Sequence, residues 1–245
     1  MLTESFRYPQ NPECGVAGVN FLYLAMLPPY INIHTHCTLE PTDQVFSLTN
    51  VIISKNYLFA HPCSLGIHPW YIERDATAQL DALLQYGKKE QVLAIGECGL
   101  DKLCGTAWSL QERVFRKQIA YADSIQKPLI IHCVRAYQEC LHVLKQEKVN
   151  VPVIFHGFER NPALAKQIFS HGYFLSLGAA IMSGKKDELI KQIPLDKILL
   201  ETDDKSINII DIYTYFCRVR KIELDLLKEQ LYQNFKRIFP LYNSP

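Results

Sequence analysis

From residue 30 the chain alternates between two kinds of segment. Short, nearly continuous apolar or β-branched runs fall at Tyr30–His34, Val45–Ile53, Cys63–His68, Gln91–Glu97, Pro128–His132, Val151–His156, Tyr173–Leu177 and Lys197–Thr202. Runs of this kind predict parallel strands buried on both faces. Between them lie segments with helical spacing. Leu80, Leu83 and Leu84 predict one inward stripe, and Tyr137, Leu141 and Leu144 another. Ser109 and Glu112 have capping-box spacing, ahead of Val114, Ile119, Ala122 and Ile125. Asn161-Pro162 opens a further helix, which Gly172 closes, and a last helix is expected from about Ile222 to Phe239.

Eight strands alternating with helices leave two architectures, an open doubly wound sheet or a closed barrel. An open nucleotide-binding sheet usually carries a glycine-rich turn after its first strand. Here that strand runs into His34-Thr35-His36-Cys37. The reading is therefore α/β, a (β/α)8 TIM barrel. Thr38–Asp43 holds no convincing helix, so the first β/α unit is expected to be reduced.

The chain has 245 residues, which one barrel of about 200–250 residues would nearly exhaust. Residues 1–29 show no clear period and end in Pro28-Pro29. They read as an N-terminal extension, with 30–245 as the barrel; Met26 is a candidate start for a shorter chain. The apolar stretch Gly18–Leu27 is shorter than the about 18–20 residues of a membrane span, and it lacks the flanks of a signal peptide. The eight cysteines are scattered without a CxxC pair, which predicts free thiols and a cytoplasmic protein. Lysine and arginine (26) nearly balance aspartate and glutamate (25), so no broad basic surface advertises nucleic acid. A site that holds one or two phosphates through metal ions needs none.

The chemistry lies in what ends each strand. His34 and His36 end the first, Gly66-Ile67-His68-Pro69-Trp70 the third, Glu97 the fourth, His132 the fifth, His156 the sixth, and Glu201-Thr202-Asp203 the eighth. In a barrel these carboxyl ends open onto one face. His34 and His36 lie two apart on a strand and project to the same side. A lone histidine at a strand end is most often structural, and His61, His142 and His171 are read so. The convergence of His34, His36, Glu97, His132, His156 and Asp203 predicts a divalent-metal site instead. If the site is binuclear, Glu97 or Asp203 must bridge, because imidazole cannot. Cys98 and Cys133 sit beside ligands and point the other way on the pleat, toward packing. Asp204 is a cap candidate for the following helix. Trp70 and Tyr71 either line the mouth or cover the barrel top.

These motifs resemble the TatD family of metal-dependent deoxyribonucleases. The stretches that carry the resemblance are Ile33-His34-Thr35-His36, Gly66-Ile67-His68-Pro69, Gly96-Glu97-Cys98-Gly99-Leu100-Asp101, Ile131-His132-Cys133, Phe155-His156-Gly157, Leu200-Glu201-Thr202-Asp203 and the late Asn234-Phe235-Lys236-Arg237. The resemblance implies two divalent cations per chain (Mg²⁺, Mn²⁺ or Zn²⁺). His34, His36, Glu97 and Asp203 would hold one ion, and Glu97, His132 and His156 the other, with Glu97 bridging. Asp203 and Glu97 would be the catalytic carboxylates, Asp203 accepting the proton of the attacking water. His68 and Arg135 would contact substrate. The implied substrate is DNA, single-stranded or at ends, with no membrane and no obligate protein partner.

The sequence departs from the family pattern at Asn32, where aspartate is usual, and at Val134, where an arginine is common and Arg135 comes one later. It departs again at Asp204-Lys205-Ser206 after the last ligand. Two alternatives stay open at this point: another ester as substrate, such as D-aminoacyl-tRNA, or a degenerate barrel that binds without catalysis.

Overall fold

The computed structural model describes residues 27–37, 42–54, 62–240 and 242. The extension up to residue 26, and His61, lie outside them. Eight strands pair in sequence order, all parallel. They are β1 (Tyr30–Thr35), β2 (Val45–Ile52), β3 (Cys63–Gly66), β4 (Val92–Asp101), β5 (Leu129–Val134), β6 (Val153–Phe155), β7 (Phe174–Leu177) and β8 (Ile198–Leu200). Just past β8, Asp203 forms a parallel bridge with Thr35. Its N–H donates to the His34 carbonyl at 3.0 Å, and its carbonyl accepts from His36 N at 3.1 Å. The seam of the barrel therefore runs through the residues expected to hold metal.

The described residues form seven α-helices: α1 (Thr77–Tyr86), α2 (Trp108–Ile125), α3 (Tyr137–Gln146), α4 (Pro162–Ser170), α5 (Asp187–Gln192), α6 (Ile209–Arg220) and α7 (Leu224–Ile238). Most of Thr38–Asp43, where the first unit is expected to be reduced, lies outside the described residues, and among those described no helix joins β1 to β2. Strand alternation explains the interior. Ile130, Ile154 and Leu199 stand two residues before His132, His156 and Glu201, and Leu48 stands two before Asn50. All four belong to one buried cluster with Phe46, Ala94 and Phe174. On these four strands the same side thus supplies an apolar plug below and polar groups above.

Several local expectations are corrected. The capping box is not formed: α2 begins at Trp108 behind Ala107, with no side-chain cap. Glu112 accepts instead from Arg116 Nε at 3.1 Å and Nη2 at 2.6 Å. Leu84 is exposed, because it lies one residue and about 100° from buried Leu83. The inward place is taken by Gln79, whose amide bonds the Ile53 and Tyr71 carbonyls at 2.9 and 2.8 Å. Asp204 caps no helix but pairs with Lys205 at 2.8 Å. The cap of α6, a helix the sequence reading passed over, is Asn208, which accepts from Ile210 N at 3.0 Å.

Candidate metal centre

At the carboxyl end of the barrel the strands deliver one converging set of donors. β1 carries His34, fully buried, and His36 follows immediately. β4 carries Glu97, β5 His132, and His156 stands one residue beyond β6. Asp203 follows β8 at φ 54°, in the left-handed region that non-glycine residues seldom occupy. That turn keeps its backbone on the barrel seam at Thr35.

Glu97 is the centre of the set. Its Oε1 lies 2.6 Å from His156 Nε2, 2.8 Å from His132 Nδ1 and 3.3 Å from His68 Nε2. Its Oε2 lies 3.4 Å from the Nε2 atoms of both His34 and His36, and accepts from Asn50 Nδ2 at 3.0 Å. The two oxygens therefore face two different groups of histidines. Asp203 Oδ1 closes one side, 3.5 Å from His34 Nε2 and 3.4 Å from His36 Nε2.

These separations fit a cation. Tetrahedral bonds of about 2.1 Å place neighbouring ligand atoms about 3.4 Å apart, the spacing found among His34, His36, Glu97 and Asp203. Neither ring nitrogen of His34, nor Nδ1 of His156, has a hydrogen-bond partner, although all three are buried. An orphaned buried nitrogen is costly, and a metal ion accounts for the inward-facing Nε2 of His34. Among the described residues three sets each bring their donor atoms within 4.8 Å of one another: His34, His36 and Glu97; His34, His156 and Asp203; and His68, Glu97 and His132.

The electrostatics agree. Burial would raise the Glu97 carboxyl, but His156, His132 and His34 hold it well below the usual range. Burial likewise opposes ionisation of Asp203, and the His34 and His36 imidazoles outweigh it. His36 is pushed up to about 10, first by Asp203 and then by Glu97. His68 runs the other way: burial lowers it, so the ring is neutral at pH 7. Its Nδ1 accepts from Trp70 N at 3.1 Å, which puts the proton on Nε2, facing Glu97. His68 is thus arranged as a hydrogen-bond donor at the site.

Two further carboxylates, to which the sequence motifs assign no role, stand behind ligand histidines. Asp101, almost fully buried, places Oδ2 at 3.1 Å from His132 Nε2. Glu201 accepts from Gly157 N at 2.7 Å and from Ser176 Oγ, and lies 3.7 Å from His156 Nδ1. Carboxylates behind ligand histidines orient the rings and raise their basicity. Asn50 also went unread; it braces Glu97 from both the backbone (3.1 Å) and the side chain. The available signal was a polar residue inside an apolar strand. Arg135 follows β5 at φ 53°, exposed, and among the described residues its guanidinium makes no ion pair. Cys98 and Cys133 are buried free thiols. His142 lies on α3, and His171 follows α4 with its ring stacked on Tyr173 at 5.7 Å.

A parallel barrel with a His/Glu/Asp donor set at its carboxyl end defines a metal-dependent hydrolase. The model of the TatD related DNase family matches residues 32–240, and the chain belongs to the TatD family. It is 32% identical to the human deoxyribonuclease TATDN3 over 207 residues, covering 74% of this chain and 75% of that one. It is also 32% identical to YabD of Bacillus subtilis, an uncharacterized metal-dependent hydrolase, over 57% of each chain. Among solved structures, the TatD homologue YJJV of Escherichia coli superposes with a TM-score of 0.75 at 21% identity, over 89% of this chain and all of that one. A TatD family hydrolase from Entamoeba histolytica gives 0.71 at 16%, over 87% and 99%. These two likenesses speak to the fold.

Proposed function

We propose that this chain is a deoxyribonuclease that hydrolyses phosphodiester bonds of single-stranded DNA or DNA ends with two divalent cations, from among Mg²⁺, Mn²⁺ and Zn²⁺. The observation that carries the reading is Glu97, whose two oxygens face separate histidine groups. His34, His36, Glu97 and Asp203 would hold one ion; Glu97, His132 and His156 would hold the other. When bound, such ions supply Lewis acidity toward a phosphoryl oxygen and a water that ionises near neutral pH. The names of the curated relatives support DNA as the substrate.

Asp203 accepts the proton of the attacking water. Its Oδ1 meets the two imidazoles, which leaves Oδ2 for the water. Its side chain is 33% exposed, so water reaches it. Glu97 stays ionised and fixed between the two histidine groups. His68 directs its Nε2 proton toward Glu97 and an incoming phosphate oxygen. Arg135, free at the end of β5, supplies a further phosphate contact.

Residues 30–245 form the catalytic barrel in this reading, and 1–29 an N-terminal extension. The free thiols support a cytoplasmic setting. Among the described residues no helix is long and apolar enough to cross a membrane.

The test is nucleotide release from labelled single-stranded DNA with Mg²⁺ or Mn²⁺, comparing wild type with Asp203→Asn. Activity lost in the variant while its fold persists is the expected result. A metal-loaded wild type that releases nothing would overturn the nuclease reading and turn attention to D-aminoacyl-tRNA or other esters.

A further inference from the structure

Large apolar side chains at the protein surface are concentrated beside the metal centre. Among the described residues, five are about half exposed or more, and three of them stand at the mouth: Trp70 (57%), Tyr71 (49%) and Leu103 (61%). The other two, Leu84 and Leu226, lie singly on outer helices. Isolated exposed leucines need no explanation, whereas a grouped patch at a site does.

Trp70 is both exposed and fixed. Its Nε1 donates to Asp101 Oδ2 at 2.5 Å. Its backbone N–H donates to His68 Nδ1 at 3.1 Å. The ring meets His68 at 5.4 Å and His132 at 6.2 Å, both nearly at right angles. Among the described residues no aromatic ring lies parallel to it. The same Asp101 accepts from Leu103 N at 2.7 Å through its other oxygen. One buried carboxylate thus sets the orientation of a candidate ligand ring, an exposed indole and the start of the Leu103 loop.

A side chain that only sealed the barrel top would turn its apolar face inward. Here the polar edge of the indole points in, to Asp101, while the residue as a whole stays more than half exposed. An immobilised indole within one side-chain length of a phosphate-processing centre is the element that holds single-stranded nucleic acid by stacking, since every base offers a π-face. The near-neutral net charge gives the protein little general pull on phosphates, which leaves more of the affinity to such contacts.

We propose that Trp70, flanked by Tyr71 and Leu103, is a stacking platform for the nucleobase attached to the phosphate held at the metal centre. The proposal rests on the nuclease reading for its substrate class. It adds that recognition is of an unstacked base, without selection by hydrogen bonds to the base edge.

The chain has only two tryptophans, Trp70 and Trp108. Trp108→Phe leaves Trp70 as the sole reporter, at a position on α2 outside the site. Its fluorescence in Mg²⁺ is followed on titration with thymidine 5′-monophosphate and, separately, with 2-deoxyribose 5-phosphate. Saturable quenching by the nucleotide, and none by the sugar phosphate, is expected. Equal quenching by both, or by neither, overturns the platform. In turnover, Trp70→Ala is expected to raise KM for a short single-stranded oligonucleotide about 5–140-fold, the size of one base–aromatic stack. Trp70→Phe, which keeps an aromatic face, should recover most of that loss, and an unchanged KM in Trp70→Ala would sink the idea. If the wild type hydrolyses no oligonucleotide, the nuclease reading fails, and the fluorescence titration still decides on stacking.

Discussion

Asp101 Oδ2 stands 3.1 Å from His132 Nε2, on the far side of the ring from Glu97. The imidazole is therefore held between two carboxylates, with Nδ1 turned to the centre. Burial would raise Asp101, but hydrogen bonds from Trp70, Leu103 and His132 keep it below the ordinary carboxylate range. It is an anion at all working pH values and favours the tautomer with the proton on Nε2. Asp101→Asn removes that charge while keeping the volume. We expect affinity for the ion on the His132 side to fall about 10–100-fold, with the circular dichroism spectrum unchanged. Metal titration by calorimetry checks this, and equal affinities for variant and wild type would rule out the orienting role.

Asp203→Asn is the informative change at the proton acceptor because of its backbone. Asp203 sits at φ 54°, and asparagine tolerates that region as well as aspartate does. The seam bonds to His34 and His36 are main-chain bonds and survive the exchange. Loss of a positioned base is expected to lower kcat about 10²–10⁴-fold. Asp203→Ala should add a stability loss that Asp203→Asn lacks, because alanine is disfavoured at positive φ. Thermal melts of the two variants separate the effects.

The strand ends were legible because two simple patterns coincide there. Apolar runs mark buried strands, and a period of two assigns His34 and His36 to one face. All six candidate ligands are brought together, and Glu97, His132 and His156 converge as their motifs suggest. What stayed hidden depends on partners distant in sequence. Nothing local to Asp101 says that His132 lies behind it, or to Glu201 that His156 and Ser176 do. The α6 helix was missed because Ile209–Arg220 is rich in β-branched and aromatic residues, which favour strands. Yet Ile209, Ile212, Tyr213 and Phe216 are spaced at three, four and seven and are all buried. The capping-box signature at Ser109 failed because α2 begins one residue earlier, at Trp108, which places Ser109 inside the first turn.

Metal binding should expel protons. In the metal-free protein His36 titrates at about 10, raised by Asp203 and Glu97, so it is charged at neutral pH and must lose that proton to act as a ligand. Calorimetric titration at pH 7 in buffers of different ionisation enthalpy should show proton release, with affinity climbing about tenfold per pH unit for each proton displaced. The sign for apoprotein stability is opposite. The His36 contribution is complete below the unfolded value of about 6.5 and is lost as pH rises through about 10. The contributions of Glu97 and Asp203, both lowered, are present above about pH 4 and are lost as pH falls. Apoprotein melts should therefore weaken at alkaline pH, where metal binding is tightest. Heats identical in every buffer would contradict the assignment.

Asn32, where the family pattern has aspartate, provides a test of the barrel seam separate from the metal. Its Nδ2 donates to Thr202 Oγ1 at 3.0 Å, and its Oδ1 accepts from Thr202 N at 2.9 Å. Both residues are buried, so the pair ties β1 to the chain leaving β8 where no water can substitute. Asn32→Ala leaves the Thr202 N–H and hydroxyl without partners, at about 1–3 kcal/mol for each unsatisfied group. For a chain of this size each kcal/mol moves Tm by about 2–4 °C, so the two groups together are expected to lower Tm by about 4–24 °C. Asn32→Asp should cost less: a carboxylate still accepts from Thr202 N, and the hydroxyl can rotate to donate to it. Because Thr202 lies between Glu201 and Asp203, slackness at this seam should also loosen the metal centre. Asn32→Ala should then show weaker metal binding as well as a lower Tm, whereas a lower Tm with unchanged affinity would mean that Asp203 is held by its own bonds to β1 alone.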